Sequence, residues 1–200
     1  MNEVLDSPGL FASLPGYEEA TEDLLNAILE EAVRFVEGEV APLYHSGDEE
    51  GCHWDDGVVT TPAGFPEAYR KYVEMGWPSL AADASYGGQD MPNLLGIIMN
   101  ELNGSANWSW GMYPGLSHGA IRTLEEHATE EQKQQYLVPL ISGQWTGTMC
   151  LTEAHCGTDL GLLRTKAEPQ ADGSYRLEGT KIFISSGEHD MAENIVHIVL

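Results

Sequence analysis

Two hundred residues with a 42% hydrophobic fraction suffice for one large domain or two small ones around an apolar core, which excludes wholesale disorder. Thirty-two acidic against nine basic residues give a formal net charge of -23, which sets most of the surface against nucleic acid and anionic membrane. Three cysteines, Cys52, Cys150 and Cys156, cannot all pair with one another, the start MNEVLDSPGLF lacks the basic and apolar regions of a signal peptide, and no run is long enough to span a membrane, so a cytoplasmic protein is expected.

From Glu18 to Val40 apolar residues recur at Leu25, Ile28, Leu29, Ala32, Val36 and Val40, the spacing of an amphipathic helix, with Pro42 placed to stop it. Ser46 to Gly57 is acidic and turn-rich and reads as a solvated loop; a short helix from Pro66 to Met75 ends at Gly76. Pro92 opens a further helix through Leu102, Tyr113 to His127 is helical again, and Thr129 to Gln132 is a capping box that starts a helix through Ile141. At Gly143 the period changes. Gln144–Leu151, Leu163–Glu168, Ser174–Glu178, Thr180–Ile184 and Ile195–Leu200 read as strands, with a hairpin turn at Asp172-Gly173. The expected organisation is therefore α+β, with a helical domain over residues 1–145 and the first part of a β domain over 146–200. The last strand runs to Leu200 with no closing turn, so the chain is expected to be an N-terminal piece of a longer protein.

Two segments carry the chemistry, Met149 to Ala167 and Asp172 to Gly187. Thr152 closes an apolar run, so its hydroxyl and the neighbouring amides would project from a strand end. Gly157 allows close backbone approach to an anion and Thr158 adds a hydroxyl donor. Phe183 offers a flat apolar surface, and in a strand it would share a face with Ser185. On spacing alone, Thr152 and Thr158 could equally satisfy their own turns, and Phe183 could be core.

Other patterns point elsewhere. Gly115-Leu-Ser-His-Gly119 spells the nucleophile-elbow string of a serine hydrolase, with Asp159 and His189 in the right order, but Pro114 precedes it and no alternating strand and helix units follow. Cys150, His155 and Cys156 lack the spacing of a zinc site, and Asp48, Glu49, Glu50, Asp55 and Asp56 lack that of a calcium loop, so no metal is assigned. There is no G-x-G-x-x-G and no G-K-[ST].

The run Met149, Leu151, Thr152, Glu153, Gly157, Thr158, Asp159, followed by Lys181, Phe183, Ile184 and Ser185, resembles the flavin motifs of the acyl-CoA dehydrogenases, as do Gly76-Trp77, Tyr86-Gly87-Gly88, His118 and the stretch from Glu130 to Gly143 upstream. The chain departs from the family pattern at Ala154, His155, Cys156, Thr158, Phe183 and Ser185, and its wording GFPEAYRKYVEMGW is similar to the large-subunit branch that includes 3-methylmercaptopropionyl-CoA dehydrogenase-like proteins. The resemblance implies an N-terminal helical domain, a β-barrel start and, beyond residue 200, a second helical bundle. It also implies FAD-dependent α,β-desaturation of an acyl-CoA thioester. Met149, Leu151 and Thr152 would hold the flavin's pyrimidine end, Thr158 the pyrophosphate or the substrate's pantetheine, Phe183 the ring face and Ser185 the N5 region. The catalytic glutamate of the family lies beyond residue 200, so no catalytic residue is named here. The implied partners are an acyl-CoA substrate, an electron-transfer flavoprotein and further copies in a homodimer or homotetramer. Arg122, Lys133, Arg164, Lys166 and Lys181 are the candidate cations for CoA. The rival readings are an acyl-CoA oxidase on the same scaffold, a hydrolase using Ser117, and a non-catalytic CoA-binding fragment.

Overall fold

The computed structural model describes residues 2–200. Two short helices, α1 (Asn2–Leu5) and α2 (Ser7–Ala12), precede α3 (Glu22–Phe35). The Thr21 hydroxyl accepts from the Leu24 amide at 3.4 Å, and this cap starts α3 four residues later than apolar spacing suggests. Val36–Val40 then widens into a π-helical turn, with the Ala41 N–H bonded to the Val36 carbonyl at 2.8 Å. Pro42 does not end the helical course. It stands just before α4 (Leu43–Glu50), where its missing N–H has no helical partner to lose. The expected loop over 46–57 is thus part helix and part hairpin, since β1 (His53–Asp55) pairs antiparallel with β2 (Val58–Thr60). The residues of β1, His53, Trp54 and Asp55, are all exposed and show no apolar alternation.

Helices α5 (Phe65–Glu74), α6 (Asn93–Ala106), α7 (Trp108–His127) and α8 (Glu130–Ile141) follow. Helix α7 starts five residues before Tyr113 because the Asn107 side chain accepts from the Trp110 amide at 3.1 Å, and the Thr129/Gln132 capping box opens α8 as expected. The core gathers where these helices cross. Trp110 is fully buried, its indole N–H donates to the Phe65 carbonyl at 3.3 Å, and its ring meets Tyr72 edge-on at 5.6 Å. Burial holds the phenols of Tyr69 and Tyr72 well above their usual pKa.

After Gly143 the chain turns to strands: β3 (Trp145–Cys150), β4 (Lys166–Pro169), β5 (Tyr175–Glu178) and β6 (Asn194–Val199). Strand β3 pairs parallel with β6, Trp145 opposite Asn194 and Cys150 opposite Val199. Strands β4 and β5 form the expected antiparallel hairpin, with Gly173 at φ 88°. The join between helices and sheet is tight at Gly147, where an added Cβ would lie 2.4 Å from the Ala120 Cβ and 3.3 Å from the Ser117 Cα, so α7 rests almost directly on the β3 backbone. The strand expected over Thr180–Ile184 does not form. Lys181 is drawn back toward the 151–153 turn instead, and Phe183 adopts φ 55°, a left-handed conformation that breaks an extended run.

Candidate functional site

The two sequence segments meet at the end of β3. The Ile182 N–H donates to the Thr152 carbonyl at 2.9 Å, and the Lys181 ammonium donates to the Leu151 carbonyl at 2.9 Å and to Glu153 Oε1 at 3.0 Å. Glu153 also accepts from the Thr165 hydroxyl at 2.7 Å and from the Thr165 and Arg164 amides, each at 2.9 Å. These donors, the Thr165 hydroxyl foremost, hold its carboxyl far below the usual carboxylate range. Glu153 is therefore an anchor, ionised at neutral pH, that ties three stretches of chain together. In the sequence Glu153 and Lys181 stand as motif residues with no sign of this pairing, and Lys181 is a candidate cation for CoA. The Lys181 side chain is only 10% exposed and is spent on Glu153 and Leu151, so it is not a free cation for CoA. The spacing of 28 residues carries no local signal of such a pair.

The clamp leaves a particular surface beside it. Phe183 is 87% exposed and Met149 50% exposed, so a large ring and a thioether stand open on the two segments the clamp joins. By strand alternation Met149 lies on the same side of β3 as Gly147, the side that meets α7. Leu151 and Thr152 are half-buried beside the clamp, while Thr158 and Ser185 are exposed. Among the described residues the hydroxyls of Thr152, Thr158 and Ser185 make no hydrogen bond, which leaves their donors and acceptors free for a ligand. Gly157 packs against Thr152, since a Cβ added there would lie 3.2 Å from the Thr152 methyl and 3.4 Å from its hydroxyl; that glycine serves the turn itself. Phe183 and Ser185 do not share a sheet face, because the segment that carries them is no strand. An open apolar ring with three free hydroxyls nearby suits a flat, polar-edged aromatic group better than it suits a packed core.

The other candidates resolve differently. Ser117 lies within α7, is buried, donates to the Tyr113 carbonyl at 3.1 Å and accepts from the Gly147 amide at 3.0 Å. It pins helix to strand and sits on no nucleophile elbow. Ligand atoms of Glu153, His155 and Cys156 lie within 4.8 Å of one another, a grouping sequence spacing had not suggested. The Glu153 carboxylate is already committed to four donors, one of them an ammonium at 3.0 Å that would repel a cation. Cys150 stands apart, 3.8 Å from His197 Nδ1. A separate cavity among the helices is walled by Tyr72, Trp77, Met99, Pro114, Ser117 and His118, and Ser117 links it to β3. Burial lowers the pKa of His118 at its wall.

Residues 22–144 match the family described as acyl-CoA dehydrogenase, N-terminal domain. The chain is 46% identical over 188 residues to 3-methylmercaptopropionyl-CoA dehydrogenase of Ruegeria pomeroyi, covering 94% of this chain and 32% of that protein. It is 35% identical over 182 residues to a butyryl-CoA dehydrogenase of Syntrophomonas wolfei, covering 89% of this chain and 30% of the relative. The chain thus spans about a third of the length of these curated relatives. The structure of butyryl-CoA dehydrogenase from Megasphaera elsdenii superposes with a TM-score of 0.72 at 27% identity, over 88% of this chain and 43% of that one. With the fold and the family match in agreement, this chain belongs to the acyl-CoA dehydrogenase family.

Proposed function

We propose that the chain forms the N-terminal helical domain, residues 1–145, and the first part of the middle β domain, residues 146–200, of an FAD-dependent acyl-CoA dehydrogenase. The observation that carries this reading is the open apolar surface of Phe183 and Met149 beside the unpartnered hydroxyls of Thr152, Thr158 and Ser185, at a clamp that joins the family's two flavin segments. Bound FAD would supply the two-electron acceptor for α,β-desaturation of an acyl-CoA thioester. Met149, Leu151 and Thr152 hold the pyrimidine end, with the Thr152 hydroxyl as hydrogen-bonding partner. Phe183 covers the ring face. Ser185 meets the N5 region, and Thr158 binds the pyrophosphate or the substrate's pantetheine. The Lys181–Glu153 clamp touches neither substrate nor cofactor in this scheme; it sets the spacing between the two segments. No residue of this chain is assigned the base that removes the α proton.

An electron-transfer flavoprotein takes the electrons onward, and the enzyme works as a homodimer or homotetramer in the cytoplasm. Three free cysteines and the absence of any helix long and apolar enough to cross a membrane, among the described residues, support that setting. The test is the anaerobic visible spectrum of the full-length protein before and after a panel of acyl-CoA thioesters. A yellow protein bleached by one of them supports the proposal. A protein with no flavin spectrum after reconstitution with FAD overturns it, and peroxide formed under air would assign an oxidase instead.

A further inference from the structure

The segment from Phe183 to Glu188 belongs to no strand or helix, and two of its residues, Phe183 and Ser186, hold left-handed φ angles of 55°. Such a segment keeps one shape only if both ends are fixed. Its leading end is fixed by Lys181 and Ile182, bonded to Glu153, Leu151 and Thr152. Its trailing end is fixed by two residues that no motif singles out. His189 is 5% exposed, its Nε2 lies 2.9 Å from the hydroxyl of buried Thr146 on β3, and its Nδ1 accepts from the Met191 N–H at 3.1 Å. Accepting at Nδ1 sets the tautomer, so Nε2 carries the hydrogen and donates to Thr146. The imidazole meets the Tyr113 ring of α7 edge-on, centroids 5.1 Å apart at 89°. Asp190 Oδ1 accepts from the Thr61 hydroxyl at 2.6 Å and from the Thr61 amide at 3.1 Å, 129 residues away in sequence. Thr61 is buried and directly follows the β1–β2 hairpin.

We propose that His189 and Asp190 are positioning residues for the flavin-facing turn, holding Phe183, Ser185 and Ser186 in place by bolting the end of that turn to β3, to α7 and to the base of the β1–β2 hairpin. The inference rests on the flavin reading given above. It assigns the hairpin a purpose: with both strands short and mostly exposed, the pair is marginal by itself, and its base is where the helical region grips the turn. His189 and Asp190 act through the turn and meet no reacting atom.

The test uses the full-length protein with Asp190→Ala, Asp190→Asn, Thr61→Val, His189→Ala and His189→Gln. Two readouts are taken: amide hydrogen exchange across residues 182–188 without cofactor, and FAD affinity with the visible circular dichroism of the bound flavin. The alanine variants should speed exchange in that segment and weaken FAD by about tenfold, the size expected on leaving a buried hydrogen-bonding group without its partner. Asp190→Asn and His189→Gln, which keep an acceptor for Thr61 and a donor for Thr146, should recover most of both. Unchanged exchange across 182–188 overturns the proposal. So does faster exchange with wild-type FAD affinity and dichroism, because the residues would then only stabilise the fold. A wild-type protein that takes up no FAD refutes the functional reading, while hydrogen exchange still decides whether His189 and Asp190 hold the turn.

Discussion

Lys181 and Glu153 turn two recognisable motif letters into a mechanical part. The ammonium and carboxylate, 3.0 Å apart and with side chains 10% and 4% exposed, have little water to fall back on if either partner is lost. Lys181→Met should therefore weaken FAD binding by about tenfold or more, because the span between Thr152 and Phe183 loosens, and titration of apoprotein with FAD checks this. The carboxylate also carries a pH signature. Its folded pKa is depressed below the ordinary 4.5, so the stability it supplies is complete above about pH 4.5 and is lost as the pH falls below that value. Glu153→Gln should flatten the acid limb of stability against pH in urea denaturation series from pH 7 to 3. An unaltered acid limb would assign the loss to other carboxylates. At Thr158 a different outcome is expected, since its hydroxyl has no internal partner: Thr158→Val should leave folding intact and reduce affinity for FAD or acyl-CoA by about 1 to 3 kcal/mol. Ser185→Ala should still bind flavin but slow its reduction in stopped-flow mixing with substrate.

Among the elements, the contact of α7 with β3 governs whether helices and sheet form one body. Gly147→Ala would place a methyl 2.4 Å from the Ala120 Cβ and 3.3 Å from the Ser117 Cα, and since both are fixed by a helix backbone the strand must shift. A cost of about 1–3 kcal/mol is expected by denaturant unfolding, and a silent substitution would mean that the two layers slide freely. The same contact shows what was legible in the sequence. Helices α5, α6 and α8 and the β4–β5 hairpin follow from a glycine stop at Gly76, a proline start at Pro92, a capping box and an Asp-Gly turn, all local signals. Strand β3 was read from its apolar run, yet nothing local announces that its parallel partner is β6, across 49 residues. The β1–β2 hairpin has the same Asp-Gly signal, at Asp56-Gly57 with φ 43° and 91°, but His53, Trp54 and Asp55 are exposed on both faces and lack the apolar alternation that marks a strand. The 180–184 strand was wrongly expected for the opposite reason. Its residues have strand composition, but Lys181 is captured by Glu153 and Phe183 goes left-handed. At the candidate site the free hydroxyls stand in the motif; most of the buried donors, acceptors and ring contacts that hold them do not, because partners such as Glu153 and Arg164 or Thr61 and Asp190 lie 11 and 129 residues apart.

For the whole molecule the governing quantity is the formal net charge of -23. Several of its nine cations form exposed pairs along one helix or across one hairpin, Arg34 with Glu30 and Glu31, Arg70 with Glu67 and Glu74, Arg122 with Glu125, and Arg176 with Glu168. Each such pair contributes about 0–1 kcal/mol, and salt weakens it. The carboxylates left over repel one another across the whole surface, and salt weakens that too. With 32 acidic residues against 9 basic ones, a formal excess of 23 negative charges has no countercharge, so repulsion is the larger of the two effects. Raising sodium chloride from about 10 mM to 150 mM, where the Debye length shortens from roughly 30 Å to 8 Å, should therefore raise the thermal midpoint of the apoprotein. The clamp should respond least, because Glu153 and Lys181 are shielded from the ions that screen the surface. Melting curves of wild type and Lys181→Met at both salt concentrations separate the two contributions: the wild-type midpoint should rise, and the difference between the proteins should stay nearly constant. A falling midpoint would mean that the surface pairs outweigh the repulsion, and a difference that shrinks with salt would mean that the Glu153–Lys181 pair is open to solvent.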